Sequence, residues 1–153
     1  MRRKDKEIVD EKIIKEILST NTILRLALCE NNVPYVVPLN YGYSNDVLYF
    51  HSAKNGKKLD IINENNNVSF EISDSIEVLF SEMACDFGTK YRSVIGYGKV
   101  QIVNSYDEKI EALDIIMKQH TPSKEWEYSE SQVDSIAVIK IIINKITGKS
   151  SGL

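Results

Sequence analysis

Residues Thr22–Ala53 read TILRLALCENNVPYVVPLNYGYSNDVLYFHSA, and their texture decides the fold. They fall into three runs, TILRLALCE, NNVPYVVPLNYGY and NDVLYFHSA, each rich in β-branched and aromatic residues and separated by Asn, Gly, Ser or Asp. Strands accept such side chains on a pleated, half-buried surface, and the small polar residues between them tolerate tight turns. The stretch therefore reads as three consecutive antiparallel strands, turning at Asn31-Asn32 and at Ser44-Asn45-Asp46.

Before it, VDEKIIKEIL at 9–18 sets Val9, Ile13, Ile14, Ile17 and Leu18 on one side at helical spacing, which predicts an amphipathic helix. After it, GKKLDIINEN at 56–65 predicts a short helix inserted between strands and closed by the Asn-rich ENNN. NVSFEIS at 67–73 alternates, with Val68, Phe70 and Ile72 inward, and SIEVLFSEMAC at 75–85 and SVIGYGKVQIV at 93–103 continue the β pattern. Ser105-Tyr106-Asp107-Glu108 has the S-x-x-E form of a capping box. It opens a helix whose apolar stripe is Ile110, Leu113, Ile116 and Met117, ending near His120-Thr121-Pro122. IAVIKIIINKI at 136–146 is apolar at nearly every position, as expected of a strand buried on both faces or lying at a subunit interface. The sum is a mainly β chain of about seven antiparallel strands and three helices. Closure into a small barrel would remove its exposed edges.

The length of 153 residues predicts a single domain, 1–153, and 42% hydrophobic with 27% charged residues is a globular composition. Nineteen Lys and Arg against 22 Asp and Glu leave a net charge of -3. Bulk electrostatics thus offer no route onto nucleic acid, and any anion site must be local. The basic start MRRKDKEIVDEK has no apolar core behind it, so neither a signal peptide nor a membrane span is expected there, and a cytoplasmic protein is. Cys29 and Cys85 lie in apolar, strand-like segments at a spacing that fits neither zinc nor a redox pair, so buried free thiols are expected. No metal-ligand cluster is evident.

Chemistry concentrates in YFHSAKNGKKLDII, residues 49–62. Lys57 and Lys58 stand where a helix should begin, although a helix start carries partial positive charge and ordinarily recruits acids. Two readings are open: a solvated basic turn, or a cradle for a monophosphate built from Gly56, the helix N–H groups and two ammonium groups. The spacing is not that of a nucleoside triphosphate loop, and the GYG at 96–98 lacks the spacing of a dinucleotide turn. His51 falls at a strand end next to this loop and is either structural or a ligand contact. Pro38 cannot donate to a sheet ladder, so it marks a bulge or an edge whose free backbone groups, beside Asn40, could bond a planar heterocycle.

Taken in order, PYVVPLNYGY, LYFHSAKNGKKLDII, VSFEI, ACDFGTKYRSVIGYGKV and ITGK resemble the pyridoxamine 5'-phosphate oxidase-like flavoproteins, within them most nearly the 5-nitroimidazole resistance branch. The resemblance spans residues 1–150 and implies a split β-barrel that binds FMN, with FAD also possible, as a homodimer with flavin sites at the interface. By position it implies that Val37, Pro38, Leu39, Asn40 and Tyr41 edge the flavin ring. It puts His51 and Ser52 near the ring and ribityl chain, Lys57 and Lys58 on the phosphate, and Tyr91, Ser93 and Val94 completing the site. Only Arg2, Arg3, Arg25 and Arg92 are available, three of them outside this site, which argues against pyridoxamine 5'-phosphate oxidation itself. The implied activity is electron transfer from reduced flavin to a small electron-poor acceptor such as a nitroimidazole, with His51 orienting or protonating it. The alternatives are a flavin- or haem-binding module that stores or senses without turnover, and a ligand-free dimeric interaction protein.

Overall fold

The computed structural model describes residues 2–152. A 3-10 turn at Lys4–Lys6 leads into β1 (Glu7–Ile8), and then come α1 (Glu11–Thr20), β2 (Ile23–Glu30), β3 (Val33–Asn40), β4 (Gly42–Ser44) and β5 (Val47–Ala53). The chain continues through α2 (Lys57–Glu64), β6 (Asn67–Leu79), a second 3-10 turn at Ala84–Asp86, β7 (Gly88–Val103), α3 (Tyr106–His120), α4 (Glu130–Ser135) and β8 (Ile136–Ser151). The described residues thus form eight strands and four helices, one more of each than the sequence predicts.

The two hairpin turns form as read. Asn31 and Asn32 have φ of 49° and 65°, and Asn45 and Asp46 have 50° and 61°. Consecutive left-handed residues match the twist of the flanking strands, and Asn and Asp tolerate that region.

All eight strands join one antiparallel sheet, in the order β3-β2-β6-β7-β8-β5-β4, with β1 paired to the far end of β8. The sheet curls until β3 and β5 approach each other without a hydrogen-bonded ladder, so the barrel stays split along this seam. Alternation fills its interior: Leu24, Leu26 and Leu28 from β2, Leu48 and Phe50 from β5, Val68, Phe70 and Ile72 from β6, and Ile139 and Ile141 from β8. Burying each such side chain contributes roughly 1.5–3 kcal/mol. A second cluster, Val103, Ala112, Leu113, Ile116, Val133 and Val138, seats α3 and α4 on the outer face. β8 is therefore covered on both sides over its first residues, as its apolar run predicts.

The Gly96 of the GYG stretch has a packing reason: a Cβ there would lie 2.1 Å from Cζ of Phe70. The Phe70 ring lies over its cross-strand partner Gly96, where no side chain stands in its way.

Several expectations are corrected. Helix α1 starts at Glu11, because the Asp10 carboxylate accepts the Lys12 N–H at 2.9 Å and caps it there; Val9 is exposed, and Ile8 joins the sheet instead. The predicted strands 67–73 and 75–85 are one strand to Leu79, which passes an irregularity between Asp74 and Glu77 where Ser75 has φ 53°. Ser105 makes no side-chain cap; the capping box is at Ser129 and Gln132, opening α4, which the sequence reading passed over. The last strand runs on to Ser151. Both cysteines are exposed rather than buried. Cys29 falls on the outward phase of β2, opposite Leu24, Leu26 and Leu28, and Cys85 lies in the turn between β6 and β7.

Candidate functional site

The seam is where chemistry-bearing residues gather. Strand β3 pairs with β2 on one side, and its other edge faces the seam, which suits Pro34 and Pro38 because neither has an N–H to pair. On the opposite bank β5 delivers His51, Ser52 and Ala53 as it leaves its ladder with β8, where His51 faces Val138.

Two adjoining hollows follow. One, of about 380 Å³, is lined by Ile23, Pro38, Leu39, Asn40 and His51. The other, of about 190 Å³, is lined by Tyr35, Ser52, Ala53, Asn55 and the Gly56–Leu59 turn. The first falls within the roughly 300–1,000 Å³ of ligand sites, and the second is smaller.

The second hollow gathers donors and positive charge. Gly56 precedes α2 with φ 128°, a conformation open to glycine, and nothing lies within 4 Å of where its Cβ would be. Its carbonyl accepts from Leu59 and Asp60 at 2.8 and 3.1 Å, while the N–H groups of Lys57 and Lys58 precede the first helical bond. No side chain caps them. The Lys57 ammonium lies 5.2 Å from the Tyr35 ring centroid and that of Lys58 5.7 Å from Phe50. Neither has a carboxylate partner among the described residues. Burial pushes the Lys58 ammonium below its ordinary value. A partly desolvated lysine with no acid beside it is stabilised by whatever anion arrives.

In the first hollow, loss of hydration and then the Lys58 charge hold His51 below its ordinary value, although the side chain keeps an exposed edge. The Ser52 hydroxyl donates to the Ala53 carbonyl at 2.8 Å. Val37 and Leu39 lean partly into the core.

Other predicted site residues lie elsewhere. Tyr41 is fully buried, its hydroxyl donates to the Leu18 carbonyl at 2.7 Å and its N–H to the Thr22 carbonyl at 3.3 Å, so only its own carbonyl is left for a ligand. Val94 is fully buried in the barrel. Tyr91 and Ser93 sit opposite Ser151 and Lys149, whereas the stretch of β8 beside His51 pairs with Val103. Measured along the strand β7, that places them about 30–40 Å away at roughly 3.3 Å per residue. One chain thus does not bring Tyr91, Ser93 and Val94 to His51. Sequence reasoning missed Tyr35, which floors the cradle under Lys57; its inward phase on β3, shared with Val37 and Leu39, was the available signal. Among the described residues no His, Cys, Asp and Glu cluster could hold a metal ion, and no helix is long and apolar enough to cross a membrane.

An antiparallel barrel split along one seam, with an uncapped helix head and two lysines on that seam, defines the split-barrel class of fold. The chain belongs to the pyridoxamine 5'-phosphate oxidase family, whose model matches residues 10–150. It is similar to a candidate 5-nitroimidazole antibiotic resistance protein of Bacteroides thetaiotaomicron, at 32% identity over 94% of this chain and 86% of that one, with a TM-score of 0.85. It shares its fold with the FAD and haem binding protein of Mycobacterium smegmatis, at 17% identity over 97% and 74% of the two chains, with a TM-score of 0.87. An uncharacterised protein of Rhizobium meliloti (strain 1021) is 26% identical over 107 residues, 67% of this chain. The match spans 64% of that curated relative's length.

Proposed function

We propose that the chain binds a flavin nucleotide along the β3–β5 seam, FMN with FAD also accommodated, and reduces small electron-poor acceptors of the nitroimidazole type. The observation that carries this reading is the pair Lys57-Lys58 at an uncapped helix head, Lys58 partly desolvated and neither with an acid partner among the described residues. Family membership and the likeness to the Bacteroides protein support it.

The flavin, when bound, supplies the electron-transfer chemistry. The chain supplies the rest. Lys57, Lys58 and the first N–H groups of α2 hold the terminal phosphate, and Ser52 stands near the sugar chain. The free edge of β3 from Val37 to Asn40 offers backbone groups to the ring, as does the carbonyl of Tyr41. His51, whose hold on a proton is weakened by burial and then by the Lys58 charge, orients the acceptor or, when protonated, passes it a proton from an imidazole nitrogen. A second copy of the chain completes the site with Tyr91 and Ser93, Val94 packing beneath them, and the exposed Ile76, Val78, Phe80, Met83 and Phe87 support such a homodimer. Oxidation of pyridoxamine 5'-phosphate is not part of the reading: Arg3, Arg25 and Arg92 are each engaged with a carboxylate, Asp5, Glu71 and Asp74.

A second reading, a flavin- or haem-binding module without turnover, is favoured by one observation. His51 is the single ionisable side chain lining the larger hollow. Anaerobic mixing of flavin-loaded protein with a reduced nicotinamide separates the two: bleaching followed by reoxidation with a nitroimidazole supports the oxidoreductase. Protein that stays colourless after incubation with FMN removes both flavin readings.

A further inference from the structure

Each lysine at the head of α2 rests against an aromatic ring from a strand bordering the seam. The Lys57 ammonium lies 5.2 Å from the ring centroid of Tyr35 on β3, and that of Lys58 lies 5.7 Å from the ring of Phe50 on β5. Both distances are within the roughly 6 Å over which the electron-rich face of a ring attracts a cation. Tyr35 also lines the cradle itself, together with Gly56, Lys57 and Lys58. It is fixed from behind: its backbone stands opposite Leu28 in the β2–β3 ladder, and its half-buried side chain packs against the main core. Lys57, by contrast, is exposed and has no carboxylate partner among the described residues. A free lysine stem samples many rotamers, and ordering it on a ligand costs affinity; a stem already held near its working position loses less.

We propose that Tyr35 is a positioning residue of the cradle: its ring holds the Lys57 ammonium in the hollow at the uncapped head of α2, so that an arriving terminal phosphate meets a charge already in place. The proposal rests on the reading of the cradle as a nucleotide-phosphate site. Tyr35 acts through Lys57, by the face of its ring and not by its hydroxyl. Its effect is therefore confined to ligands that carry the phosphate, and it vanishes when Lys57 is removed.

Fluorescence titrations with FMN, and with riboflavin as the ligand lacking phosphate, test this. Tyr35→Leu should weaken FMN binding about threefold to fivefold, the size of an exposed cation–π contact, and leave riboflavin unchanged. Tyr35→Phe should bind FMN as the wild type does. In a Lys57→Ala background Tyr35→Leu should cost nothing further, the mark of two residues acting as one unit. Mono-, di- and trifluorinated phenylalanine at position 35 keep the shape of the ring while draining its face of charge, so FMN affinity should fall stepwise along that series even where leucine impairs folding. The positioning role is overturned by a flat fluorination series, by a Tyr35→Phe loss equal to that of Tyr35→Leu, by equal losses for FMN and riboflavin, or by a Tyr35→Leu loss that persists without Lys57. In each of those cases the cradle stands if Lys57→Ala alone weakens FMN and spares riboflavin. Lys57→Ala that leaves FMN affinity unchanged, or wild type that binds no FMN, overturns both the cradle and the proposal.

Discussion

The Arg92 guanidinium grips the Asp74 carboxylate through two hydrogen bonds of 2.8 Å, from Nε and Nη2, and reaches Glu16 of α1 with Nη1 at 2.9 Å. This fork pins α1 to the sheet where β6 turns irregular. Hydrogen bonding from Arg92 holds Asp74 below the usual carboxylate range. A group whose folded value is depressed adds stability above its unfolded value, about 3.9, and loses it as pH falls through the folded one. Asp74→Asn should cost about 1–3 kcal/mol near neutrality and flatten the acid limb of stability below about pH 4, measured by urea midpoints across pH.

Lys57→Ala with Lys58→Ala should weaken FMN binding by about 2–4 kcal/mol, if each charge-assisted bond is worth roughly 1.5–3 and the two overlap. Riboflavin, without the phosphate, should lose little. Equal losses for both ligands in fluorescence titrations would move the phosphate elsewhere.

His51→Gln should slow reduction of a nitroimidazole by roughly 10²-fold or more, the low end of general acid catalysis, with flavin affinity nearly unchanged. Stopped-flow oxidation of the reduced protein reads this directly. An unaltered rate would return His51 to a structural role.

Tyr41→Phe removes the bond to the Leu18 carbonyl, but Gln119 Nε2 also donates to that oxygen at 3.1 Å, so it is not orphaned. The cost should be about 1 kcal/mol. Burial pushes the Tyr41 phenol above its ordinary value. Its stability contribution is therefore complete below about pH 10 and lost above it, so the wild type should soften in alkali more steeply than the variant in pH-dependent melts.

Gly96→Ala should destabilise by at least about 1–3 kcal/mol, the cost of forcing extra volume into a packed core. Phe70→Leu in the same chain should recover part of the loss in melting temperature, because the clash is with that ring.

The chain's strands and turns were legible because local chemistry determines them. Asn-Asn and Asn-Asp at the hairpins and strict alternation in NVSFEIS leave little choice. What escaped depended on partners distant in sequence. Val9 and Ile8 exchange roles because Gly148 of β8 leaves room for Ile8, and no local pattern reveals that. Ser105 offered the right letters for a cap, yet the bond formed at Ser129 instead. In the candidate site, the lysines and His51 were visible as oddities of charge and position. Tyr41 was misplaced because a tyrosine beside an edge strand can turn its ring outward or bury it, and the Leu18 carbonyl decides.

Strand β8 has a temporal consequence. It follows every other strand in the chain, yet it joins β7 to β5 and also holds β1. A ribosome that has delivered everything before Ile136 has made two unconnected halves of a sheet. The barrel must therefore close as a late, long-range event, and the nascent halves carry open edges until then.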